Sequence, residues 1–382
     1  MEYALSELFT LQMGKTPSRD NSSYWKKSEN NWISIADLTN SGKYISNTKE
    51  TLSDSAVAES GIKKIPANTV IMSFKLSLGK VAITEKEMYS NEAIMAFIDK
   101  GVEKISPEYL YYLLRAKDWS NGTNKAVMGA TLNKATLSTI KIQLHEYDNQ
   151  LEIVNMLNRV SSSIDFRKQQ LTKLDELVKA RFVEMFGDPV TNPFNWPTVE
   201  LGQRCEIITG NTPSRAEPEN YGTFIEWIKS DNINTPSTFL TPAQEYLSEV
   251  GFQKCRFVES GSLLMTCIAG SLNCIGNVAV TNRRVAFNQQ INAITPTCDN
   301  VLYLYWLMIL SKPAIHKTIN MALKGILSKS QLSSIKFPFP SIECQNQFAD
   351  FVAEVDKSKV EVQKALDQTQ LLFDSLMQQY FG

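Results

Sequence analysis

The chain has 382 residues and carries 39 lysines and arginines against 40 aspartates and glutamates, which gives a formal net charge of -1 at pH 7. This balance excludes a globally basic nucleic-acid binder, so any such binding must come from local patches of charge. No apolar run approaches the ~20 residues that a membrane span requires, and the N-terminus does not resemble a signal peptide. We therefore expect a cytoplasmic protein of two or three domains that contacts no membrane.

The first globular stretch, residues 1–145, alternates short β-forming runs with turn clusters rich in glycine, asparagine, serine and proline. Runs at 69–73 and 80–84 predict strands, and the segment 107–117 predicts a helix. This mixture predicts an α+β domain with short strands.

Residues 146–187 contain no proline, and no glycine before Gly187, and they place apolar side chains three and four positions apart. The spacing predicts one continuous helix of about 40 residues, on the order of 60 Å long, with a heptad seam for a partner helix. Gly187 and the prolines that follow it end the helix. The seam is represented by Leu157, Ile164, Leu171 and Val178.

The second globular stretch, residues 188–342, repeats the first. The hexapeptide at 14–19 (GKTPSR) recurs at 210–215 (GNTPSR), and similar matches follow to the end of the stretch at offsets of 194 to 197 positions. A fixed offset of this kind is the signature of a duplication. We expect a strand near 276–280 and a helix near 302–310 as counterparts of the first copy.

A second long helix is predicted over residues 343–382, with a seam represented by Val355, Val362, Leu366 and Phe373. Two seams of equal length predict an intramolecular antiparallel two-helix coiled coil, with the globular domains at its ends related by a pseudo-twofold axis. The alternative is that each helix is only the core-facing edge of its neighbouring domain. Two similar domains at a fixed separation fit a bipartite target on DNA, where half-sites on one face repeat about every 34 Å.

These features together resemble the specificity subunits of type I restriction-modification systems, over essentially the whole chain. The resemblance rests on the duplicated Gly-x-Thr-Pro-Ser turn with a following Trp-Ile, on the segment 287–292 (FNQQIN), and on the first long helix ending in 186–189 (FGDP). The first half departs from the pattern at 90–94, which reads SNEAI where the second half has FNQQI.

The resemblance implies that residues 1–145 and 188–342 are target-recognition domains, each of which reads one half of a split sequence in double-stranded DNA. The helices 146–187 and 343–382 would set the spacing and dock two methyltransferase subunits. Restriction subunits with translocase and nuclease activity would join through these. S-adenosylmethionine, ATP and Mg²⁺ would belong to the partners, and this chain would bind no cofactor.

We expect no active site in the chain itself. Gly14-Lys15-Thr16 imitates the end of a phosphate-binding loop, but Phe9 stands where its first glycine is needed. Asn192-Pro193-Phe194 lacks the second proline of the methyltransferase tetrapeptide Asn/Asp-Pro-Pro-Tyr/Phe. No acidic pair has metal-ligand spacing, and no histidine supports a nucleophile. The six cysteines form no Cys-x-x-Cys pair and only two histidines are present, so we predict buried, reduced thiols and no metal site.

Basic and amide side chains in the loops are the candidates for DNA contact. Lysines would hold phosphates, whereas arginine, asparagine and glutamine would read base edges. The alternative for any one lysine is that it is a solvated surface charge without a contact to DNA. The candidates are Lys15, Arg19, Lys75, Lys80, Lys125, Lys134, Arg215, Arg283, Arg284, Asn288, Gln289, Gln290, Lys324 and Lys329.

Three alternatives stay open. A complex that methylates without restriction fits the same sequence. A coiled-coil scaffold whose end domains bind protein partners also fits, and salt-dependent DNA binding by the assembled complex would argue against it. A stand-alone DNA enzyme is opposed by the missing catalytic groups, and turnover by the single chain would revive it.

Overall fold

A computed structural model of the chain describes residues 1–26, 28–75, 77–119, 124–126, 129–319 and 325–382, with backbone alone at 124–126 and 129–131. The chain forms two compact units, the first from 1–168 with 365–382 and the second from 169–364. Each unit therefore contains one globular stretch and a part of each long helix. The compact units divide inside the long helices, because each helix segment packs on the core of its own unit.

Both long helices are present and each has 40 residues. The α-helices of the described residues are α1 (Leu5–Leu8), α2 (Ile35–Asn40), α3 (Asp54–Ser60), α4 (Pro107–Ala116), α5 (Lys134–Thr139), α6 (Tyr147–Phe186), α7 (Leu201–Arg204), α8 (Glu249–Gln253), α9 (Val301–Lys317), α10 (Lys329–Ser334) and α11 (Ile342–Phe381). The prediction of a helix near 107–117 is confirmed. Its counterpart α9 runs past the predicted end at 310 and includes Pro313, because Ile315 in its last turn is fully buried in the core.

In the first unit, two sheets have the strand orders β2-β9-β6-β7-β4 and β5-β3-β8, and two further pairs are β1-β12 and β10-β11. The strands at 70–73 and 81–84 confirm two of the predicted ones. The bounds are β1 (Glu2–Ala4), β2 (Phe9–Met13), β3 (Asn30–Ile33), β4 (Tyr44–Ile45), β5 (Glu50–Leu52), β6 (Val70–Ser73), β7 (Val81–Thr84), β8 (Tyr89–Ser90), β9 (Ile94–Asp99), β10 (Asn124–Ala126), β11 (Gly129–Thr131) and β12 (Lys141–Gln143).

The second unit repeats most of this topology, but it has two four-stranded sheets where the first unit has one of five strands and one of three. Its sheets have the orders β14-β22-β18-β20 and β16-β15-β21-β17, and its further pairs are β13-β24 and β19-β23. The bounds are β13 (Thr198–Glu200), β14 (Cys205–Thr209), β15 (Tyr221–Ile228), β16 (Tyr246–Leu247), β17 (Phe257–Val258), β18 (Leu263–Thr266), β19 (Ile268–Ala269), β20 (Val278–Val280), β21 (Val285–Phe287), β22 (Ile291–Pro296), β23 (Gly325–Ile326) and β24 (Lys336–Pro338). The sequence duplication is thus a duplication of mixed α/β folds.

Parts of the two long helices pack together on the core within each unit. In the second unit, the ring centroid of Phe182 on α6 lies 5.3 Å from that of Phe348 on α11 and 5.5 Å from that of Tyr303. Further along, Asp175 on α6 pairs with Lys359 on α11 at 2.6 Å. The contacting residues on α11 have lower numbers where those on α6 have higher numbers, so the two segments run antiparallel in this unit.

The predicted seam residues are buried to different extents. Five are buried in the apolar cores of the units: Leu157, Ile164, Val178, Val355 and Phe373. Leu171, Val362 and Leu366 are half-buried. Most of the predicted seam residues therefore pack into the core of the unit that contains them.

A buried glutamine in the first turn of each long helix ties that helix to its globular stretch. The Gln150 side chain is 1% exposed; its Oε1 accepts from the Ser106 amide at 3.0 Å, and its Nε2 donates to backbone carbonyls. Gln345, which is fully buried, accepts from the Asn300 amide at 2.9 Å and donates to Asp299 Oδ1 at 2.8 Å. Ser106 and Asn300 are the N-caps of α4 and α9, so each glutamine joins two helix starts.

The prediction that all cysteines are buried is wrong. Cys205 and Cys267 are buried, and burial raises the pKa of each thiol to about 12. Cys298 is exposed, because it lies in the turn between β22 and α9, and the other three are half-buried. Within the described residues, no helix is long and apolar enough to cross a membrane, and no group of acidic, histidine or cysteine side chains could hold a metal ion.

Candidate nucleic-acid interface

In each unit, the Gly-x-Thr-Pro-Ser-Arg turn lies against the loop that enters a central strand. We call the turn 14–19 with the loop 90–93 the first loop pair, and the turn 210–215 with the loop 287–290 the second loop pair. Their backbones approach closely through matching hydrogen bonds: Gly14 N to Ile94 O at 3.2 Å, Lys15 N to Ser90 O at 2.8 Å, Gly210 N to Ile291 O at 3.0 Å and Asn211 N to Phe287 O at 3.1 Å.

The glycine that opens each turn is required by this approach. A Cβ atom on Gly14 would lie 2.2 Å from Ser90 O, and one on Gly210 would lie 2.3 Å from Asn288 O. Both contacts are with backbone, which cannot move aside as a flexible side chain can. The conformation of the turn therefore depends on glycine for space.

An asparagine shapes the facing loop in each copy. Asn91 Oδ1 accepts from the Ala93 amide and Asn288 Oδ1 from the Gln290 amide, both at 3.0 Å. This side chain-to-backbone bond is typical of a local asparagine turn. Asn288, predicted to contact bases, is 7% exposed and holds its loop in shape. Gln290 is half-buried and accepts from Ser230 Oγ at 3.3 Å.

The predicted contact arginine of each turn is held by a glutamate and an aromatic ring. Arg19 pairs with Glu50 at 2.6 Å and lies 3.6 Å from the Trp25 ring centroid. Arg215 pairs with Glu245 at 2.8 Å and lies 4.8 Å from the Tyr221 ring. The side chains of the two arginines remain about half exposed, at 49% and 57%, so one edge of each guanidinium fixes the turn while the rest meets solvent.

The tip of each loop pair is formed by an exposed side chain that accepts a hydrogen bond from the threonine of the turn. Thr16 donates to Glu92 in the first pair, and Thr212 donates to Gln289 in the second. Partial burial opposes ionisation of Glu92, but the Thr16 hydroxyl and its own backbone amide, with nearby positive charge, set its pKa below the usual value. Gln289 was a predicted contact residue. Glu92 was missed, although its alignment with Gln289 marked the position.

The other predicted residues lie in several surroundings. Lys15 Nζ donates to Ser60 O at 2.5 Å, and Arg284 pairs with Glu259 at 2.6 Å on the surface. Arg283 is half-buried: it pairs with Glu226 and donates to the carbonyls of Leu240 and Thr241. Lys80, Lys134 and Lys329 are exposed, and Lys75 is half-buried. Lys324 and the side chain of Lys125 lie outside the described residues.

A cleft in the first unit brings one predicted lysine together with basic side chains that the sequence did not single out. Lys80 lines it together with Lys43, Arg115, Lys168 and one acidic residue, Asp165. Burial lowers the pKa of Lys43, although Glu108 opposes that shift by pairing with it. The cleft is net positive and suits an anion such as a phosphate group.

A family model described as "Type I restriction modification DNA specificity domain" matches residues 1–176 and 193–369. Among curated relatives, the MjaIX specificity subunit of Methanocaldococcus jannaschii is 27% identical over 222 residues, which cover 53% of this chain and 51% of the relative. The putative MjaX specificity subunit of the same organism is 24% identical over 322 residues, and the match covers 75% of this chain and 72% of that relative. The matched part thus spans about half the length of the first relative.

Two solved structures share the fold. The S subunit of a type I restriction-modification system from M. genitalium has a TM-score of 0.55 and 13% identity, and the match covers 99% of this chain and 94% of that one. A chain from a study of complex assembly and conformational transition of the type I system has a TM-score of 0.63 and 16% identity, with 100% and 97% coverage. At these identities the likeness is one of fold.

Proposed function

Because the chain belongs to the type I restriction-modification DNA specificity family, we propose that it selects the DNA sequence on which a methyltransferase complex acts. Each globular stretch would read one half of a bipartite site. The observation that carries this proposal is the pair of matching loop pairs, in which the same contacts hold tips of different chemistry. Such a design suits two readers of one kind of polymer, each with its own target. Family membership disfavours a protein-binding scaffold.

We assign phosphate contacts to the exposed lysines Lys80, Lys134 and Lys329 and, in the cleft, to Arg115 and Lys168. Charges of this kind position a protein on the duplex without reading its sequence, and they make affinity fall with salt. Base contacts are assigned to the tips of the loop pairs. The remaining candidates, among them Lys125 and Lys324, stay predictions.

We propose that α6 and α11 form an antiparallel coiled coil that sets the distance between the half-sites. Each helix has 40 residues and so a length on the order of 60 Å. Large apolar side chains are exposed along them, which supports a docking role for methyltransferase subunits: Met156, Phe166, Leu177, Val183, Val360, Leu371 and Leu372. Restriction subunits would join through these, and S-adenosylmethionine, ATP and Mg²⁺ would be held by the partners.

The test is genome-wide mapping of methylated bases in a host that carries this chain with its neighbouring methyltransferase. We expect a split motif that disappears when this chain is deleted. Methylation that is unchanged by the deletion, with the methyltransferase shown to be active, would contradict the proposal.

A further inference from the structure

Glu92 and Gln289 occupy the same place in the two loop pairs. Each follows the asparagine that shapes its loop, and each accepts a hydrogen bond from the threonine of the facing turn. The backbone amides of the preceding asparagines, Asn91 and Asn288, donate to the equivalent carbonyls of Ile33 and Ile228, both at 3.1 Å. Both side chains are exposed. The two positions therefore differ in chemistry while their surroundings match.

The chemistry left for a ligand is opposite in the two copies. With one oxygen on the Thr16 hydroxyl, the ionised Glu92 side chain offers acceptors and no donor. With its oxygen on the Thr212 hydroxyl, Gln289 presents its Nε2 donors, and the same oxygen keeps a second lone pair. A ligand must therefore donate to Glu92, whereas a ligand of Gln289 needs an acceptor beside a donor.

The edges of DNA bases in the major groove separate along this line. Cytosine presents only its N4 amino donor there, guanine presents acceptors, and adenine pairs the N7 acceptor with the N6 donor. A carboxylate matches cytosine and is repelled by the acceptors of guanine, thymine and adenine. A carboxamide matches adenine. We propose that positions 92 and 289 are equivalent base-reading positions, an inference that rests on the proposed function. Glu92 accepts a hydrogen bond from a cytosine N4, and Gln289 pairs with an adenine.

A carboxylate beside DNA is repelled by the phosphates, so nearby positive charge is needed to offset that repulsion. Positive charge from Lys75 and Arg19 acts on Glu92 and offsets part of that repulsion. The main effect of Glu92 is then to reject bases that leave it without a donor, so it contributes discrimination more than affinity. Arg19, held by Glu50, maintains this charge beside the tip.

The test exchanges the two chemistries in the full chain, expressed with its methyltransferase partner. Glu92→Gln keeps the shape and the acceptor for Thr16 but replaces the free acceptor with a donor. We expect the preference for cytosine at one position of one half-site to fall by about tenfold or more, with a shift towards adenine. The other half-site and the spacer stay as they are. Gln289→Glu should change one position of the other half-site.

Glu87→Gln is the matched control, because Glu87 is an exposed carboxylate of the same unit and its partner, Lys64, is not part of the loop pair. It should leave the whole motif unchanged. A split wild-type motif that Glu92→Gln and Gln289→Glu both leave intact would overturn this inference and leave the proposed function standing. A wild-type chain that produces no split motif would contradict the proposed function itself. If Glu92→Gln abolishes methylation, Gln289→Glu decides: a change at one position supports the inference, and an unchanged motif overturns it.

Discussion

The two loop pairs are built from the same contacts, and their difference is confined to particular side chains. Glycine, asparagine and threonine recur at the points where backbone meets backbone or where a loop is shaped. At the tip, the acceptor of the threonine hydrogen bond is the carboxylate of Glu92 in the first copy and the carboxamide of Gln289 in the second. The fold therefore restricts the residues that hold the loops and leaves the exposed tip open to change. A duplicated protein can then give its two halves different targets on one scaffold.

The contacts at the starts of the long helices also differ between the two copies. Gln150 bonds only neutral backbone groups, whereas Gln345 bonds the buried carboxylate of Asp299, which also pairs with Arg204. A bond to a charged group contributes more stability than one between neutral groups. The second copy therefore relies more on charge for holding its long helix.

The largest expected effect comes from adding a methyl group to the glycine of either turn. Gly14→Ala and Gly210→Ala would each place Cβ against backbone carbonyls, so the loop pair must separate. We expect each variant to lose about 3 kcal/mol of free energy of unfolding in its own unit. Urea denaturation with hydrogen exchange measures the loss and its location.

Gly42→Ala is the control for this experiment, because a Cβ at that exposed position would meet no atom within 4 Å. Its stability should remain close to that of the wild type. Equal losses for Gly14→Ala and Gly42→Ala would show that the close approach of the turn is not what requires glycine.

A smaller effect is expected from the buried glutamines at the starts of the long helices. Gln150→Leu and Gln345→Leu each leave the amide of an N-cap residue without its acceptor, a loss of about 1–3 kcal/mol. Gln345→Leu should lie at the upper end, because it also removes a donor from the Asp299 carboxylate. Native-state hydrogen exchange at Ser106 and Asn300 reports each site. A larger loss for Gln150→Leu would reverse the proposed role of charge.

Features that neighbouring residues determine could be predicted from the sequence, whereas features that depend on tertiary packing could not. The long helices followed from a local period and from Gly187, whose φ of 78° marks a left-handed helix end. The extension of α9 did not, because the burial of Ile315 is a tertiary effect that outweighs Pro313. Candidate contact residues were chosen by type and loop position, which cannot reveal that Arg283 is occupied by Glu226.

The smallest expected effect concerns acid, and it separates the copies where their charges differ. Glu226 pairs with Arg283 in the second unit, whereas the equivalent position in the first unit is the neutral Asn31. The hydrogen bond from Arg283 lowers the pKa of Glu226 below its ordinary value of 4.5, although burial opposes the shift. A depressed pKa means that the folded state holds the carboxylate more tightly as an anion than the unfolded state does.

The stability from this pair is therefore present above pH 4.5 and is lost as pH falls through the folded pKa. Glu226→Gln removes the titration, so the free energy of unfolding should fall less steeply below pH 4.5 than in the wild type, by on the order of 1 kcal/mol. Denaturation between pH 7 and pH 3 measures the slopes. Glu206→Gln, at an exposed strand position, should keep the wild-type slope. If Glu226→Gln and the wild type lose stability in parallel, the pair with Arg283 does not distinguish the acid response of the second unit.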